Sequence, residues 1–174
     1  MSYVPSHKGD FPIAQPVSLT VIEHTANTTQ SIIVTPQTIK IGTIHNWYGS
    51  FTPTISNNQF TLPSGYFYYI ETSVQSYNVN SNTATMDFSF QHYDETNSTN
   101  IGTLATNFGG GGYSGDTQFF SRDATAKLVV DCTSAARNIS IKAVLTDQYD
   151  NINYNSGHYI YAGLGRTVIW QLEP

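Results

Sequence analysis

The sequence predicts an all-β protein, an antiparallel β-sandwich of jelly-roll type with about nine or ten strands. Apolar and polar residues alternate with a period of two in most segments, which is the pattern of strands with one buried face. Turn-forming residues separate these segments at short intervals, and no segment has the apolar periodicity of an amphipathic helix. Many short strands joined by such turns are typical of sandwiches and jelly rolls.

The domain organisation is inferred from length and from the distribution of proline. The chain has 174 residues, which is enough for one domain with a sizeable core. Its first 16 residues contain Pro5, Pro12 and Pro16. Because proline fixes φ and removes a backbone donor, residues 1–16 are expected to form an extended arm. Residues 17–174 are expected to form a single jelly-roll domain.

The first half of this domain begins with short strands bounded by turn formers. Pro36 ends the second strand, and Pro53 confines the fourth to a sheet edge or a bulge, because proline cannot donate a ladder hydrogen bond. The pair Asn57-Asn58 is a turn signal. The strands are predicted at residues 18–24, 31–34, 39–43 and 51–55.

The most informative segment covers residues 60–76, where Pro63-Ser64-Gly65 forms a turn between two alternating runs. After the turn, the residues divide into two faces of one strand. One face contains Phe67, Tyr69, Glu71, Ser73 and Gln75, and the other contains Tyr66, Tyr68, Ile70, Thr72, Val74 and Ser76. One of these faces is expected to cover the core while the other meets water or a partner.

The second half repeats the pattern. Residues 83–93 form the most regular strand, with Ala84, Met86, Phe88, Phe90 and His92 on one face. Further strands are predicted at residues 101–105, 117–121, 126–131, 138–147, 158–162 and 167–172, with single helical turns at 121–126 and 133–137. The predicted inner faces of two of these strands are Ile139, Ile141, Ala143 and Leu145, and Val168, Trp170 and Leu172.

Residues 60–70, FTLPSGYFYYI, resemble the F-x-x-P-x-x-G-x-Y-x-F/I stretch of jelly-roll domains in the tumour-necrosis-factor and complement globular-head superfamily. In this chain, one residue rather than two separates Pro63 from Gly65. The segment 166–174 is similar to the closing strand of that fold, so the resemblance covers residues 50–174. Similar domains occur in bacteriophage capsid-decorating and fibre-tip proteins. The resemblance implies a homotrimer packed through aromatic sheet faces, with binding at loops or subunit grooves and no catalytic residues.

Composition argues against several classes of partner. Charged residues are 11% of the chain, against about 25% in typical domains, and the seven basic residues are scattered. Nucleic-acid binding requires a clustered basic footprint, so it is not expected. No apolar run approaches the ~20 residues of a membrane span, and residues 1–16 lack the apolar core of a signal peptide. The protein is therefore expected to be made in the host cytoplasm.

The sequence contains no recognisable pattern of a catalytic, cofactor or metal site. Cys132 lies in an apolar run and is interpreted as a buried small hydrophobe. His92 is interpreted as a partly buried histidine at a sheet rim, with a pH-sensitive interface contact as the alternative. Glu71 shares a face with aromatic residues, so it is expected to be desolvated or paired, for example with a base of a neighbouring chain. The oxygen-rich runs 94–97 and 147–151 are interpreted as solvated turns rather than calcium loops.

Aromatic residues are the most informative group, since Tyr supplies contact area with a polar tip at low entropic cost. The chain has 12 Tyr, 9 Phe and 2 Trp. The functional interpretation is a subunit interface with a rim that contacts carbohydrate or protein, and the alternative is ordinary core and surface filling. The candidate interface residues are Tyr3, Phe11, Trp47, Tyr48, Tyr66, Tyr68, Phe88, Phe90, Tyr159, Tyr161 and Trp170.

These observations lead to an expected function without catalysis. The first hypothesis is a virion structural protein, a homotrimer that decorates a bacteriophage capsid and contacts the major capsid protein or another virion protein. The first alternative is a tail-fibre or spike tip that binds host glycans or proteins through loops 107–116 and 147–158. The second alternative is a small glycan-active enzyme on a β-sandwich, for which Glu71 and Asp87 would be the acids to test.

Overall fold

The computed structural model describes residues 16–24, 30–31, 36–74, 76–78, 86–108, 118–120, 124–148, 158–160 and 165–174. These residues form strands, turns and irregular segments with no helix among them, which confirms the all-β prediction. The predicted arm lies outside the described residues except for Pro16, which begins the first strand. The strands are β1 (Pro16–His24), β2 (Gln30–Ser31), β3 (Gln37–Thr38), β4 (Ile41–Tyr48), β5 (Thr54–Ser56), β6 (Gln59–Leu62), β7 (Phe67–Ser73), β8 (Ser76–Asn78), β9 (Met86–Asp94), β10 (Thr99–Phe108), β11 (Gln118–Phe120), β12 (Thr125–Asp131), β13 (Arg137–Gln148), β14 (His158–Ile160) and β15 (Arg166–Leu172).

The strands form two packed antiparallel sheets and a smaller group. The five-stranded sheet has the order β12-β7-β15-β1-β4. The six-stranded sheet has the order β10-β9-β13-β6-β5, with β3 beside β13. The short strands β11, β8, β14 and β2 form a four-stranded group. The predicted β-sandwich is confirmed, and its jelly-roll connectivity stays a prediction. The described residues contain more strands than expected because several are only two or three residues long.

The β5–β6 hairpin and the turn that leads from β6 in one sheet to β7 in the other follow the turn chemistry of the sequence. Asn57 and Asn58 have φ of 52° and 59°, which gives a two-residue turn that matches the strand twist between β5 and β6. Gly65, at φ 100°, lies in the turn between β6 and β7 and donates its N–H to the Cys132 carbonyl over 2.8 Å. The alternation predicted for β7 is confirmed, since Tyr68, Ile70 and Thr72 are buried and their neighbours are half-buried.

The core lies between the two large sheets. Its largest fully buried side chains are Tyr68, Phe60, Phe90, Ile22, Ile39, Leu62, Ile70, Ile139, Ile141 and Ile169. Tyr68 packs on Phe51 with ring centroids 5.3 Å apart. Because Tyr68 and Phe90 have no exposed surface, they are core residues, and the expectation that they form a subunit interface is wrong for both. Burial of Ile139, Ile141 and Ala143 confirms that part of the predicted inner face of β13, and the side chain of Leu145 lies outside the described part of the structure.

The predicted inner face of the last strand is wrong by one residue. Thr167, Ile169 and Gln171 face the core, whereas Val168, Trp170 and Leu172 are half-buried on the outer face. The register with β7 sets this orientation, since Thr167 and Ile169 lie opposite the inward residues Thr72 and Ile70. The inward hydroxyl and amide are tolerated because they have hydrogen-bond partners inside the sandwich.

Of two further expectations, one is wrong and the other is confirmed. Residues 133–135 are bends rather than the predicted helical turn, because Asp131 accepts hydrogen bonds from the Thr133 N–H and hydroxyl and thereby forms a local turn. The turn interpretation of residues 94–97 is confirmed. The Asp94 carboxylate accepts the N–H groups of Thr96 and Asn97 at 2.9 and 3.1 Å, and it also pairs with Arg137 at 3.1 Å.

Candidate interaction surface

The outer face of the five-stranded sheet carries a row of apolar side chains. Tyr69, Trp170 and Leu19 lie opposite one another on β7, β15 and β1, and we call them the aromatic stripe. The Tyr69 and Trp170 rings are 5.2 Å apart between centroids and tilted by 31°. All three residues are half-buried. Antiparallel partners point to the same side of a sheet, so the stripe is continuous across the middle of the face.

The large apolar side chains that are most exposed lie at the two ends of this stripe. Trp47 is 71% exposed and Tyr48 44% exposed on β4, at one edge of the sheet. Val129 is 68% exposed on β12, at the opposite edge, and Leu104 is 49% exposed on the neighbouring β10. We call these pairs the β4 patch and the β12 patch. They are about 19 Å apart, which is four strand spacings of ~4.8 Å.

The β4 patch has a rigid base. The Tyr48 hydroxyl donates to the Pro16 carbonyl over 2.9 Å, and the Tyr48 carbonyl accepts the Ser18 hydroxyl at 3.0 Å. Gly49 follows at φ 82°, and a Cβ there would lie 2.6 Å from the Val17 carbonyl oxygen. Only glycine fits this close approach, so the edge strand is held against β1 directly beside the exposed aromatic residues.

Charged groups form a second row beside the aromatic stripe. Lys127 on β12 pairs with Glu71 at 3.3 Å, and the Tyr69 hydroxyl donates to the same carboxylate. That hydrogen bond raises the pKa of Tyr69. The same hydrogen bond and the Lys127 ammonium lower the pKa of Glu71, although partial burial acts in the opposite direction. Glu71 therefore has its base within the same chain, on the strand next to its own, rather than in a neighbouring chain. At the other side of the row, Glu23 lies 3.4 Å from His45.

The outer face of the six-stranded sheet is polar and internally paired. The Lys142 ammonium lies 2.6 Å from Glu95, donates to Thr38 over 2.9 Å and sits 4.9 Å from the Tyr93 ring centre. Ser140 donates to the same Glu95 carboxylate over 2.7 Å. An open cleft of about 400 Å³ lies there, lined by Pro36, Tyr93, Glu95, Asn100, Lys142 and Val144. The charged groups of this cleft are already occupied by one another.

A chain of polar side chains crosses the core, and sequence analysis did not predict it. His24 of β1 and His92 of β9 are both fully buried, on opposite sheets. His24 Nε2 lies 2.8 Å from the Thr167 hydroxyl, the Thr167 and Thr72 hydroxyls are 2.8 Å apart, and Thr72 lies 2.8 Å from His92 Nε2. The expected rim position of His92 is wrong, because the alternation that places Phe90 in the core carries His92 inward too.

The described residues offer little for covalent or metal chemistry. Burial of Cys132 is confirmed, and burial raises the pKa of its thiol to about 11, which disfavours the nucleophilic thiolate near neutral pH. Within the described ranges, no three His, Cys, Asp or Glu side chains are close enough together to hold a metal ion. No helix of the described part of the chain has the length and apolar character to cross a membrane.

The eleven predicted interface residues fall into five groups. Trp47 and Tyr48 are exposed, and Tyr66 and Trp170 are half-buried. Tyr68 and Phe90 are in the core. Phe88 and Tyr159 belong to β9 and β14, but their side chains are outside the described part of the structure. Tyr3, Phe11 and Tyr161 lie outside the described residues altogether. The structure thus brings Trp170 into the stripe that ends near Trp47 and Tyr48.

Sequence analysis missed Val129 and Leu104. Both are ordinary aliphatic residues in predicted strands, so their type suggested a core position. The signal for Val129 was present in its alternation with Lys127 and Asp131, which are exposed on the same face. No family model matches this chain, and no curated protein matches it.

Proposed function

We propose that this protein is a non-catalytic structural subunit that assembles with copies of itself, as a homotrimer that decorates a virus particle. The observation that carries the proposal is the pair of exposed apolar patches at the two edges of the five-stranded sheet, with Leu104 contributed by the adjoining β10. Isolated exposed apolar residues are normal, but clustered ones at the ends of an aromatic stripe are typical of a contact surface. The proposed context of a phage capsid rests on the resemblance of residues 50–174 to decorating domains.

The placement of the two patches favours head-to-tail association. A contact in which the β4 patch of one copy meets the β12 patch of the next uses two different surfaces of each subunit. Repetition of such a heterologous contact closes a ring when the rotation per copy is a whole fraction of a turn. A closed trimer would bury both patches of every copy and leave no apolar edge exposed.

Charge supports a second copy as the occupant of each patch. The half-exposed Lys127 ammonium lies beside Val129, and the half-exposed Glu23 carboxylate belongs to the β4 side of the face. A head-to-tail contact brings these opposite charges to the same interface, which favours the correct pairing over patch-to-identical-patch contacts.

The proposal is tested by the mass of the purified protein in solution. Sedimentation equilibrium at micromolar concentration should give a trimer, and a monomer would contradict the proposal. Trp47→Ser should raise the dissociation constant about 30-fold or more, because a central Trp commonly contributes 2 kcal/mol or more to an interface. Tyr93→Ser is the matched control, since it removes an aromatic ring from the outer face of the other sheet.

A mixing experiment separates head-to-tail from symmetric contact. Trp47→Ser damages the β4 patch and Val129→Ser the β12 patch, so neither variant forms a sound contact with itself. In a mixture, the intact β12 patch of Trp47→Ser can contact the intact β4 patch of Val129→Ser. Native mass spectrometry should therefore detect this heterodimer in greater amount than either homodimer. Equal weakness of all three pairs would exclude the head-to-tail contact.

Antibody labelling of particles then tests location, with signal over the shell supporting decoration and signal confined to a tail tip contradicting it.

A further inference from the structure

The buried chain of His24, Thr167, Thr72 and His92 connects the two sheets of the sandwich. His24, Thr167 and Thr72 belong to β1, β15 and β7 of the five-stranded sheet, and His92 belongs to β9 of the six-stranded sheet. Each of the three contacts measures 2.8 Å between heavy atoms. All four residues have no exposed surface. The chain lies inside one subunit, so its properties are independent of the proposed assembly.

Counting protons fixes the tautomers of the two imidazoles relative to each other. Three hydrogen bonds need three protons, and the two threonine hydroxyls supply two. All three bonds form without leaving a hydroxyl proton unbonded only when one histidine donates an Nε2–H and the Nε2 of the other accepts. A neutral imidazole carries a single N–H, so the donor ring is the Nε2–H tautomer and the acceptor ring is the Nδ1–H tautomer. Two directions of the chain satisfy this rule, and both require opposite tautomers.

The surroundings of the two rings offer no compensation for an added charge. Among the described residues, His24 Nδ1 and His92 Nδ1 have no hydrogen-bond partner. A Cβ on Gly165 would lie 2.7 Å from His24 Nδ1, so the backbone closes tightly over that atom. On the strands packed around the chain, the groups on the outer faces are Glu23, His45, Glu71, Lys142 and Arg166. The buried Asp94 carboxylate of β9 pairs with Arg137 at 3.1 Å, and the buried Tyr68 hydroxyl of β7 donates to the Pro63 carbonyl.

We propose that this chain is an acid switch, which holds the two sheets together while both imidazoles are neutral and releases them when the surroundings acidify. A proton added at the accepting Nε2 gives four protons for three hydrogen bonds, so one hydroxyl proton loses its acceptor within the chain. A proton added at the free Nδ1 of the other ring leaves the three hydrogen bonds in place but also creates a buried charge. The added charge is buried without a carboxylate partner in the described part of the structure. The folded sandwich therefore resists protonation, and acid acts by favouring states in which the rings reach water.

The direction of the pKa shifts agrees with this geometry. Burial, with a further contribution from the nearby His92, lowers the pKa of His24 to about 3. Burial lowers the pKa of His92 to about 4. An unfolded histidine has a pKa of about 6.5, so the unfolded chain binds two more protons than the folded chain between these values. Stability is thus fully present above pH ~6.5 and falls as pH decreases below it.

The first test uses the unmodified protein. Long-range ¹H–¹⁵N spectra of histidine-labelled protein at pH 7 report the tautomer of each ring. Two slowly exchanging rings of opposite tautomer are expected, neither of which titrates between pH 7 and pH 5 in the folded state. Two identical tautomers, or a buried ring that titrates in that range, would overturn the proposal.

The second test measures the unfolding equilibrium against pH. Two histidines with a pKa of about 6.5 only in the unfolded state should raise the unfolding constant several-hundred-fold between pH 7 and pH 5. Replacement of one ring by an amide, in His24→Gln or His92→Gln, should leave roughly a 25-fold rise. His45→Gln is the control, because His45 is exposed on the neighbouring strand and the two buried rings remain. A rise below tenfold in the wild type would overturn the proposal, and if neither variant folds, the spectra of the wild type decide.

Discussion

The outer faces of the two packed sheets differ in how their side chains find partners. On the six-stranded sheet, Lys142 contacts Glu95, Thr38 and Tyr93, and Gln91 donates to the Gly102 carbonyl over 3.0 Å. On the five-stranded sheet, aromatic side chains contact one another across the strands, and Trp47 at the edge is largely exposed. One face is satisfied within a single subunit, whereas the other leaves apolar area uncovered. The difference favours the five-stranded face as the contact surface of the proposed assembly.

The five-stranded sheet also reverses, in part, the usual arrangement of apolar side chains on the inner face and polar side chains on the outer face. Its inner face includes Thr72, Thr167 and His24, while its outer face includes Tyr69 and Trp170. Polar groups are stable inside because each hydroxyl and each Nε2 is hydrogen-bonded along one chain. Apolar side chains on an outer face are stabilised where they are shielded from water, and the contact between the Tyr69 and Trp170 rings provides part of that shielding.

The largest expected effect separates the inner and outer faces of β15 at adjacent positions. Ile169 is fully buried opposite Ile70, and Val168 is half-buried on the outer face. Ile169→Ala should lower the free energy of unfolding by about 2–5 kcal/mol, because it leaves a cavity in the core. Val168→Ala should cost about 1 kcal/mol or less. Urea unfolding followed by Trp fluorescence measures both, and equal losses would mean that the assigned faces of β15 are wrong.

The next effect tests the polar interior of the same sheet. Thr167→Val keeps the shape of the side chain but removes the hydroxyl that links His24 to Thr72. It should cost about 1–3 kcal/mol, the penalty of leaving buried polar groups without partners. Thr167→Ser retains the hydroxyl and should lose less. If the valine variant proved as stable as the serine variant, the hydroxyl chain would have no role in stability.

Much of this architecture follows from the residues themselves. The two-residue turn at Asn57-Asn58, the turn at Gly65 and the buried face of β7 each follow from a local signal. The faces of β15 do not, because both of its alternating sets contain apolar residues and the choice between them comes from pairing with β7.

The candidate sites were harder to predict for the same reason. The link between His24 and His92 joins residues 68 positions apart through two threonines from other strands, so it exists only in the packed sandwich. The β12 patch joins Val129 and Leu104 from different strands, and neither residue type signals exposure. Trp47 and Trp170 were identified because large aromatic residues stand out by type alone, whereas Tyr68 shows that type does not decide burial.

A smaller effect is expected on the paired face. Lys142→Met removes the ammonium from Glu95 and should cost about 1 kcal/mol, the net value of a typical hydrogen-bonded contact. Partial burial opposes ionisation of Glu95, but its contacts with Lys142 and Ser140 lower its pKa on balance. That stabilisation is present above the ordinary pKa of Glu and is lost as pH falls through the lowered value. The variant should raise the Glu95 pKa in a carboxyl NMR titration, and an unchanged value would show that Lys142 does not stabilise the carboxylate.

The smallest effect is expected for the ion pair on the open face. Glu71 and Lys127 are both accessible to water, so solvent screens their attraction and Lys127→Met should leave the midpoint of urea unfolding unchanged. Glu71→Gln should nevertheless lower the pKa of Tyr69 towards its ordinary value, because the carboxylate that favours the neutral phenol is gone. The Tyr69 Cζ chemical shift, followed against pH, measures this change. In the urea unfolding experiment, Lys142→Met is the matched control for Lys127→Met. A loss of stability from Lys127→Met as large as that from Lys142→Met would contradict the difference between the two faces, since it would place the Lys127 pair in an environment as sheltered as the Lys142 pair.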